Sequence, residues 1–456
     1  MIHSSHHIKR IALVLCALLL NAHALHAAPF VYIADMAGSQ ISVIDVATNI
    51  ATSISLPSSV NAVDGIAISP DGTTVYVPCF DGIGGSLQRI DVATNTLLSP
   101  ISLGTQIAPD SIAITPNGQF AYVTVNNANA SQGQVLQINL TTNMVVGSPI
   151  SPFVNPTQIV IASDPSGLTA YVLDPGNFNV YPINLTDNSL QGAVTGSNTP
   201  VAIAVSPNGA YLYISQQSNN NVQQYNIAGN TNRLTPAPGA TVTYSQFTTF
   251  TPGSLVISPD GNTLYVGNVG GTPWAIGAVD ISMPGTPVSQ ATFLDLTATG
   301  ASPYAMAITP DGKTLYGTLG GAANDTLAVN ITSPLAPTLT ATIPVGFTPL
   351  GLAITPMNLL PPSSVSGCKT QNVFLLQTDY INNITWTAPT TGSPVAYNIY
   401  RDATLTELVA TVPASGTLQY YDHGRNPSVI YSYYITSVDS SGNQSMAASV
   451  TVTNPC

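Results

Sequence analysis

A four-residue turn, Ser/Thr-Pro-Asp/Asn-Gly, recurs along most of the chain and constrains the fold more than any other feature. It stands at Ser69-Pro70-Asp71-Gly72, Thr115-Pro116-Asn117-Gly118, Ser206-Pro207-Asn208-Gly209, Ser258-Pro259-Asp260-Gly261 and Thr309-Pro310-Asp311-Gly312. A variant occurs at Asp164-Pro165-Ser166-Gly167, and a final Thr355-Pro356 lacks the glycine. Successive prolines are 42 to 52 residues apart. Proline sets φ at the first corner of a reverse turn and glycine accepts the left-handed corner, so each motif marks a hairpin. A short alternating run precedes each turn, as in Ser111-Ile112-Ala113-Ile114. A tyrosine follows six residues after the proline: Tyr76, Tyr122, Tyr171, Tyr213, Tyr265 and Tyr316. Next comes an apolar-Asp/Asn-apolar run, from Ile90-Asp91-Val92 to Val329-Asn330-Ile331. Alternation with period two and β-branched residues between turns predict short antiparallel strands.

Two pieces of this pattern have no mate in place. Tyr32 and Ile44-Asp45-Val46 open the repeat region with no turn before them. Leu352-Ala353-Ile354-Thr355-Pro356 closes it with no tyrosine after it. Together they make one complete repeat, split between the two ends. A linear stack of repeats carries distinct caps, whereas a split repeat requires a closed ring. Six continuous repeats and one composite give an all-β, seven-bladed β-propeller, closed by pairing of its N- and C-terminal segments. The seven outer-strand Asp/Asn residues, Asp45, Asp91, Asn139, Asn184, Asn226, Asp280 and Asn330, are read as turn or strand-edge groups. An active site needs one unequal constellation, not seven copies of one residue.

The segment Tyr122-Val123-Thr124-Val125-Asn126 and its counterparts resemble the YVTN-repeat propellers, a family of exported microbial proteins, over residues 30–356. Local departures are Tyr76-Val77-Pro78-Cys79 and Tyr316-Gly317-Thr318-Leu319. Related propeller folds include lactonases and a lyase, so the resemblance implies the fold and leaves the activity open.

The N-terminus predicts export. Lys9 and Arg10 precede an apolar run from Ile11 to Leu20, and small residues follow at Ala22, Ala24, Ala27 and Ala28. That is the layout of a signal peptide over residues 1–28, too short in its apolar run to span a bilayer. The expected location is secreted, periplasmic or cell-surface after cleavage, with no membrane span in the mature chain. Cleavage takes away two of the eight basic residues and no acid, moving the net charge from −12 to −14. So acidic a chain has little to offer a phosphate backbone, and nucleic acid is excluded as a partner.

Residues 29–357 are assigned to the propeller, 358–367 to a Pro/Ser-rich linker, and 368–456 to a second domain. Within the last, Tyr431-Ser432-Tyr433-Tyr434-Ile435-Thr436-Ser437-Val438 resembles the sixth strand of fibronectin type III domains. The resemblance implies a β-sandwich with Trp386 as its core tryptophan and Tyr431 at its tyrosine corner. The aromatic residues of this domain are expected in its core. Of the mature cysteines Cys79, Cys368 and Cys456, the last two bracket the domain. A bond between them is not expected: first and last strands of such a sandwich run the same way, so its two ends lie at opposite poles.

The propeller region holds no His and no Glu, and its bases are Arg89, Arg233 and Lys313. Most general acid–base chemistry is thereby removed, leaving Asp. Inner strands line the central channel, and the residues at their leading ends form a ring: Asp64, Asp110, Thr157, Val201, Gly253, Tyr304 and Leu350. Asp64, Asp110, Thr157 and Tyr304 are the candidate ligand-binding residues at this mouth. The two aspartates are oxygen ligands suited to Ca²⁺, the one cofactor the pattern admits; the ordinary role for such residues is bonding a backbone turn. Variable loops at Asp81–Gly85 and Asn126–Asn129, and the loop carrying Trp274, are further contact candidates. The pattern fits a non-catalytic binding or scaffold protein making protein or glycan contacts. The alternative is a lactonase-like hydrolase or lyase at the channel mouth, with Asp64 or Asp110 as base and Arg89 or Arg233 as electrostatic partner.

Overall fold

The repeats fold as a ring of small antiparallel sheets. The computed structural model describes residues 29–127, 132–164, 167–194, 199–227, 235–243, 251–270, 273–283, 292–320, 324–356, 362–374, 377–389, 394–402, 407–438, 445 and 447–456. The predicted leader, the turn proline Pro165 and Arg233 lie outside these residues. Two compact units are present, Ala28–Pro356 and Met357–Cys456. Apart from two single 3₁₀ turns, the regular structure among the described residues is strand.

Seven sheets make up the first unit. Blade 1 is the composite one: Phe347–Ile354 pairs with Phe30–Ala37, followed by Gln40–Asp45 and Ile50–Ser55. Tyr32 lies opposite Ala353 and Ile33 opposite Leu352. The Phe30 N–H donates to Thr355 Oγ1 (2.8 Å) and the Thr355 N–H to the Phe30 carbonyl (2.9 Å). Blades 2 to 7 then follow in chain order, each with its inner strand first. The ring is therefore closed by a strand ladder within one blade, as the split repeat predicted.

The repeat motif has a physical account at each position. In the turn, the Ser69 hydroxyl donates to Asp71 Oδ1 (2.5 Å) and accepts from the Thr74 N–H (3.0 Å), while Gly72 takes a left-handed φ of 70°. The outer-strand Asp or Asn caps the next hairpin. Asp45 accepts from the Ala47 and Thr48 N–H groups, and Asn139 from those of Thr141 and Thr142. The repeat tyrosines Tyr32, Tyr122, Tyr213, Tyr265 and Tyr316 are almost wholly buried between blades. Burial of such a ring stabilises by about 2 kcal/mol each. The hydroxyls of Tyr32, Tyr122, Tyr265 and Tyr316 join neighbouring blades. Tyr32 donates to Asn95, Tyr122 to Asn188 (2.9 Å), and Tyr316 of blade 7 to Asn49 of blade 1 (2.6 Å). The accepting asparagines sit in left-handed backbone at hairpin corners, which asparagine tolerates better than most residues.

The second unit is a β-sandwich. A three-stranded sheet of Ser363–Phe374, Gln377–Thr387 and Gln419–Asp422 faces a four-stranded one of Leu408–Pro413, Ala396–Tyr400, Tyr431–Val438 and Ala448–Val452. Ile384, Trp386, Tyr397, Tyr433 and Val452 fill the space between. The Trp386 and Tyr397 rings meet edge-on, 5.5 Å apart. Tyr431 lies under the Arg425 guanidinium (5.5 Å), and its hydroxyl accepts from the Asn426 N–H (3.3 Å). Tyr421 departs from the expected core placement and is 48% exposed.

Two expectations for this unit are corrected, and they share one cause. Residues 363–367, assigned to the linker, are the beginning of the first strand. Cys368 therefore lies partway along that strand and not at its start. The tail beyond Val452 runs parallel beside it: the Lys369 N–H donates to the Asn454 carbonyl (2.7 Å) and the Cys456 N–H to the Lys369 carbonyl (2.9 Å). Same-direction strands thus bring the two cysteines together, and Cys368 and Cys456 form a disulfide with Cα atoms 4.9 Å apart. Cys79 is free and buried.

Candidate functional site at the channel mouth

A recurring irregularity sets the ring residues apart from ordinary strand positions. The inner strand of several blades slips register at its leading end, between Pro200 and Ala202, between Pro252 and Leu255, and between Pro303 and Met306. In blades 5 and 7 a hydroxyl two residues after the repeat tyrosine fills the gap, as Thr124 does for the Ser111 N–H in blade 3, whereas blade 6 has Gly267 there. Ser215 Oγ accepts the Ala202 N–H (2.9 Å) and Thr318 Oγ1 the Ala305 N–H (3.1 Å). The same hydroxyls donate onward to the next inner strand, at Gly253 O (3.0 Å) and Leu350 O (2.7 Å). Bulges of this kind re-aim side chains, here at the mouth of the channel.

Blade 2 breaks the pattern. Where blades 3, 5 and 7 carry the hydroxyl of Thr124, Ser215 and Thr318 it has Pro78, which supplies neither a hydroxyl nor an N–H. Its inner strand survives only as Asn61–Ala62 and Ala67–Ile68, with Asp64 in the gap. Two glycines let neighbouring backbones close in on this gap. A Cβ on Gly351 of blade 1 would sit 1.6 Å from the Asp64 carbonyl oxygen, and one on Gly65 would sit 2.6 Å from that of Asp110. The Gly65 N–H donates to the Asp110 carbonyl (2.7 Å).

The result is an acidic cluster drawn from three blades. Tyr304 of blade 7 donates its hydroxyl to Asp64 Oδ2 (3.1 Å). Burial pushes the Asp64 carboxyl upward, and the Tyr304 bond pulls it partly back. Burial, then the charge of Asp64, pushes Asp110 up to about 7. Burial and both carboxylates hold the Tyr304 hydroxyl protonated far above the usual phenol range. Of the predicted candidates the structure thus brings together Asp64, Asp110 and Tyr304. Thr157 occupies its ring position, but its N–H bonds the Leu173 carbonyl (3.0 Å), and no hydrogen bond among the described residues links it to the acids.

Such a cluster can hold a proton at neutral pH, accept hydrogen bonds and favour a cationic or hydroxyl-bearing ligand. Neither described base of the propeller serves it as an electrostatic partner. Arg89 points to the outer part of blade 2, where its guanidinium reaches Ser99 O (3.4 Å), and Lys313 pairs with Asp311 (3.8 Å). That removes Arg89 from the hydrolase alternative, while Arg233 falls outside the described residues. Among the described residues no three His, Cys, Asp or Glu side chains converge as a metal-ligand set. Trp274, expected as a loop contact, packs instead against the core between blades 6 and 7. The loop at 128–131 lies outside the described residues.

Sequence reasoning missed Asp35. It lies three residues after Tyr32 in the closing blade and is fully buried. Ser42 Oγ donates to its Oδ2 (2.7 Å), and that Oγ also accepts the Gly346 N–H (3.0 Å). Its Oδ1 has no partner among the described residues, and burial pushes the carboxyl up to about 6. A signal was available: the third residue after the tyrosine is also polar in Asp174, Gln216 and Asn268.

Comparison with known proteins places the chain among propellers. Residues 169–280 match the family model "Lactonase, 7-bladed beta-propeller". Among solved structures, the periplasmic gluconolactonase of Pseudomonas aeruginosa is 16% identical, with TM-score 0.58 over 72% of this chain and 100% of that one. A functionally unknown protein of Desulfotomaculum acetoxidans is 17% identical, with TM-score 0.58 over 72% and 99%. A putative 6-phosphogluconolactonase of Bacteroides uniformis is 16% identical, with TM-score 0.55 over 72% and 98%. No curated protein matches. These similarities establish the seven-bladed fold. The matched residues 169–280 include none of Asp64, Asp110 and Tyr304.

Proposed function

We propose that this is an exported, non-catalytic binding or scaffold protein whose rigid propeller presents its channel mouth and rim to a protein or glycan partner at or outside the cell surface. The observation that carries this reading is the make-up of the mouth. Two carboxyls and a phenol converge there, while both described bases of the propeller are engaged elsewhere. Opening a lactone builds negative charge on oxygen, which needs donors or cations aimed at it. A cluster that is itself negative works against that charge. Binding asks only for a fixed geometry, and the bulge hydroxyls and glycine contacts supply it. A disulfide in the second unit fits an oxidising compartment, as does the predicted leader. No helix among the described residues is long and apolar enough to cross a membrane. The YVTN-type repeat and the fibronectin type III-like module belong to the same reading: both are modules of extracytoplasmic contact.

The second reading is lactone hydrolysis with Asp110 as general base, favoured by its pKa near 7 and by the lactonase-type match in blades 4 to 6. The two are separated by assaying the protein on glucono-δ-lactone and on acyl-homoserine lactones. The expected result is no turnover above that of Asp64→Asn and Asp110→Asn. Turnover abolished by either change, with the melting curve preserved, overturns the binding reading.

A further inference from the structure

We infer that the mouth face of blades 1 to 3 docks a protein segment offering a lysine or arginine flanked by apolar side chains, with the basic group entering between Asp64 and Asp110. The inference names the partner class for the binding reading above and rests on that reading. Strand direction decides which residues share this face. Each inner strand starts at the mouth and the second strand of the blade returns to it. The face therefore carries Phe347 at the head of the inner strand of blade 1, Met36 near the end of the strand beside it, and Ile83 in the corresponding connection of blade 2. They are 65%, 46% and 71% exposed. Residues 29–127 and 324–356 are described without interruption, so every mouth-end connection of blades 1 and 2 is in view.

A lone exposed apolar side chain is ordinary. Three on one face of two adjacent blades, beside carboxyls that lack a cation, mark a contact surface. The backbone holds Phe347 outward under strain. Its neighbour Thr348 takes a left-handed φ of 55°, which a β-branched residue adopts only where its surroundings impose it. The Thr348 N–H is tied to Asn324 Oδ1 (3.1 Å), across in blade 7. The Phe347 ring lies over Gly38, 3.8 Å from where a Cβ would stand.

The centre of the face selects the charge of the partner. Asp64 has the Tyr304 hydroxyl as its hydrogen-bond donor, while the Asp110 carboxyl has none among the described residues and feels the charge of Asp64. Asp81 adds a further acid in the Ile83 connection, where it accepts the Ile83 and Gly84 N–H groups (2.8 and 2.7 Å). The described bases of the propeller lie toward the opposite end. Lys313 follows a repeat turn, and Arg89 stands near the end of a strand that runs away from the mouth. An ammonium or guanidinium between Asp64 and Asp110 offsets their repulsion and makes charge-assisted hydrogen bonds to both. The apolar rim then favours a cation carried on a chain with apolar neighbours over a free one.

The test selects a random heptapeptide phage library on the full-length protein and measures the enriched peptides, once synthesised, by titration calorimetry. The enriched sequences are expected to carry a lysine or arginine with apolar neighbours, and its replacement by glutamine in the peptide should weaken binding at least about tenfold. In the protein, Asp64→Asn and Asp110→Asn keep the shape of the site and should each weaken binding by about ten- to a hundredfold, the loss of one charge-assisted hydrogen bond. The combined Met36→Ser and Ile83→Ser change should weaken it about tenfold. Met144→Ser, exposed at the opposite end of the blades, should leave it unchanged. Should an aspartate variant fail to fold, the Met36→Ser and Ile83→Ser protein and the glutamine peptides carry the test. The inference is overturned if no peptide enriches, if the enriched peptides lack a basic residue, or if binding survives the aspartate changes or the rim changes undiminished. Each of those results leaves non-catalytic binding of a glycan standing, whereas lactone turnover abolished by Asp64→Asn or Asp110→Asn overturns the binding reading itself.

Discussion

The two units of this protein solve one problem by different means. Each must join its first and last segments. The propeller does so with a strand ladder, in which Phe347–Ile354 zips onto Phe30–Ala37 and seals blade 1 with bonds such as Phe30 to Thr355. The sandwich does so covalently, through Cys368 and Cys456, after its tail has paired beside the first strand. The difference follows from what each has to bury. A ring of seven blades gains a full inter-blade core on both sides of the seam, so hydrogen bonds and packing suffice. A sandwich of roughly ninety residues buries a smaller share of its surface, and a cross-link that restricts the unfolded chain contributes proportionately more.

The largest effect is expected from opening the seam. Deleting residues 347–356 leaves blade 1 without its inner strand and exposes an unpaired edge. Differential scanning calorimetry should then show the propeller transition lowered by more than ten degrees or lost, while removal of residues 363–456 leaves it nearly in place. Equal losses from the two truncations would mean that the seam is not what holds the ring.

Breaking the covalent closure comes next. Cys456→Ser should destabilise the sandwich by about 2–5 kcal/mol and leave the propeller transition where it was. Reduction with dithiothreitol should reproduce the effect in the parent and do nothing further to the variant. A shift in the propeller transition would contradict the separation of the two units.

Asp35 sharpens the comparison from within the seam. Its carboxyl is raised to about 6 in the folded protein from an ordinary 3.8. Folding therefore favours the protonated form. Below about pH 4 both states are protonated and there is no penalty. Between pH 4 and 6 the unfolded state ionises first, and above pH 6 the penalty is complete, at up to about 3 kcal/mol. Asp35→Asn should raise the melting temperature at pH 7.5 and lose that advantage below pH 4. A gain independent of pH would exclude this cause. The smallest effect is at the junction of blades 7 and 1, where Tyr316→Phe removes one hydrogen bond to Asn49. A loss of about 1 kcal/mol is expected, similar to that from Tyr122→Phe at the intact junction of blades 3 and 4. A much larger loss at Tyr316 would show that the seam depends on this bond more than on its ladder.

The candidate site was legible in outline only. Counting back from each turn proline placed Asp64, Asp110 and Tyr304 on one ring, because every inner strand starts at a fixed distance from its turn. The meeting of Tyr304 with Asp64 across the intervening blade was not legible, since it depends on the gap opened beside Pro78 and on the close approach allowed by Gly351. The tyrosine-to-asparagine bonds between blades had a signal, an asparagine four residues after the outer-strand Asp or Asn at Asn49, Asn95 and Asn188.

What the chain determines locally, it shows locally. Turn type, strand alternation, blade count and the need for closure all follow from residues within one repeat and from the repeat being split, because a hairpin's geometry is set by a few adjacent residues. Two outcomes belonged to the tertiary structure alone. The disulfide formed because the first sandwich strand begins before Cys368 and the tail runs alongside it. Asp35 acquired its raised pKa from burial against Gly346, far away in sequence. Each depends on which surfaces meet after the strands are made, and residues far apart in the chain carry no local mark of that meeting.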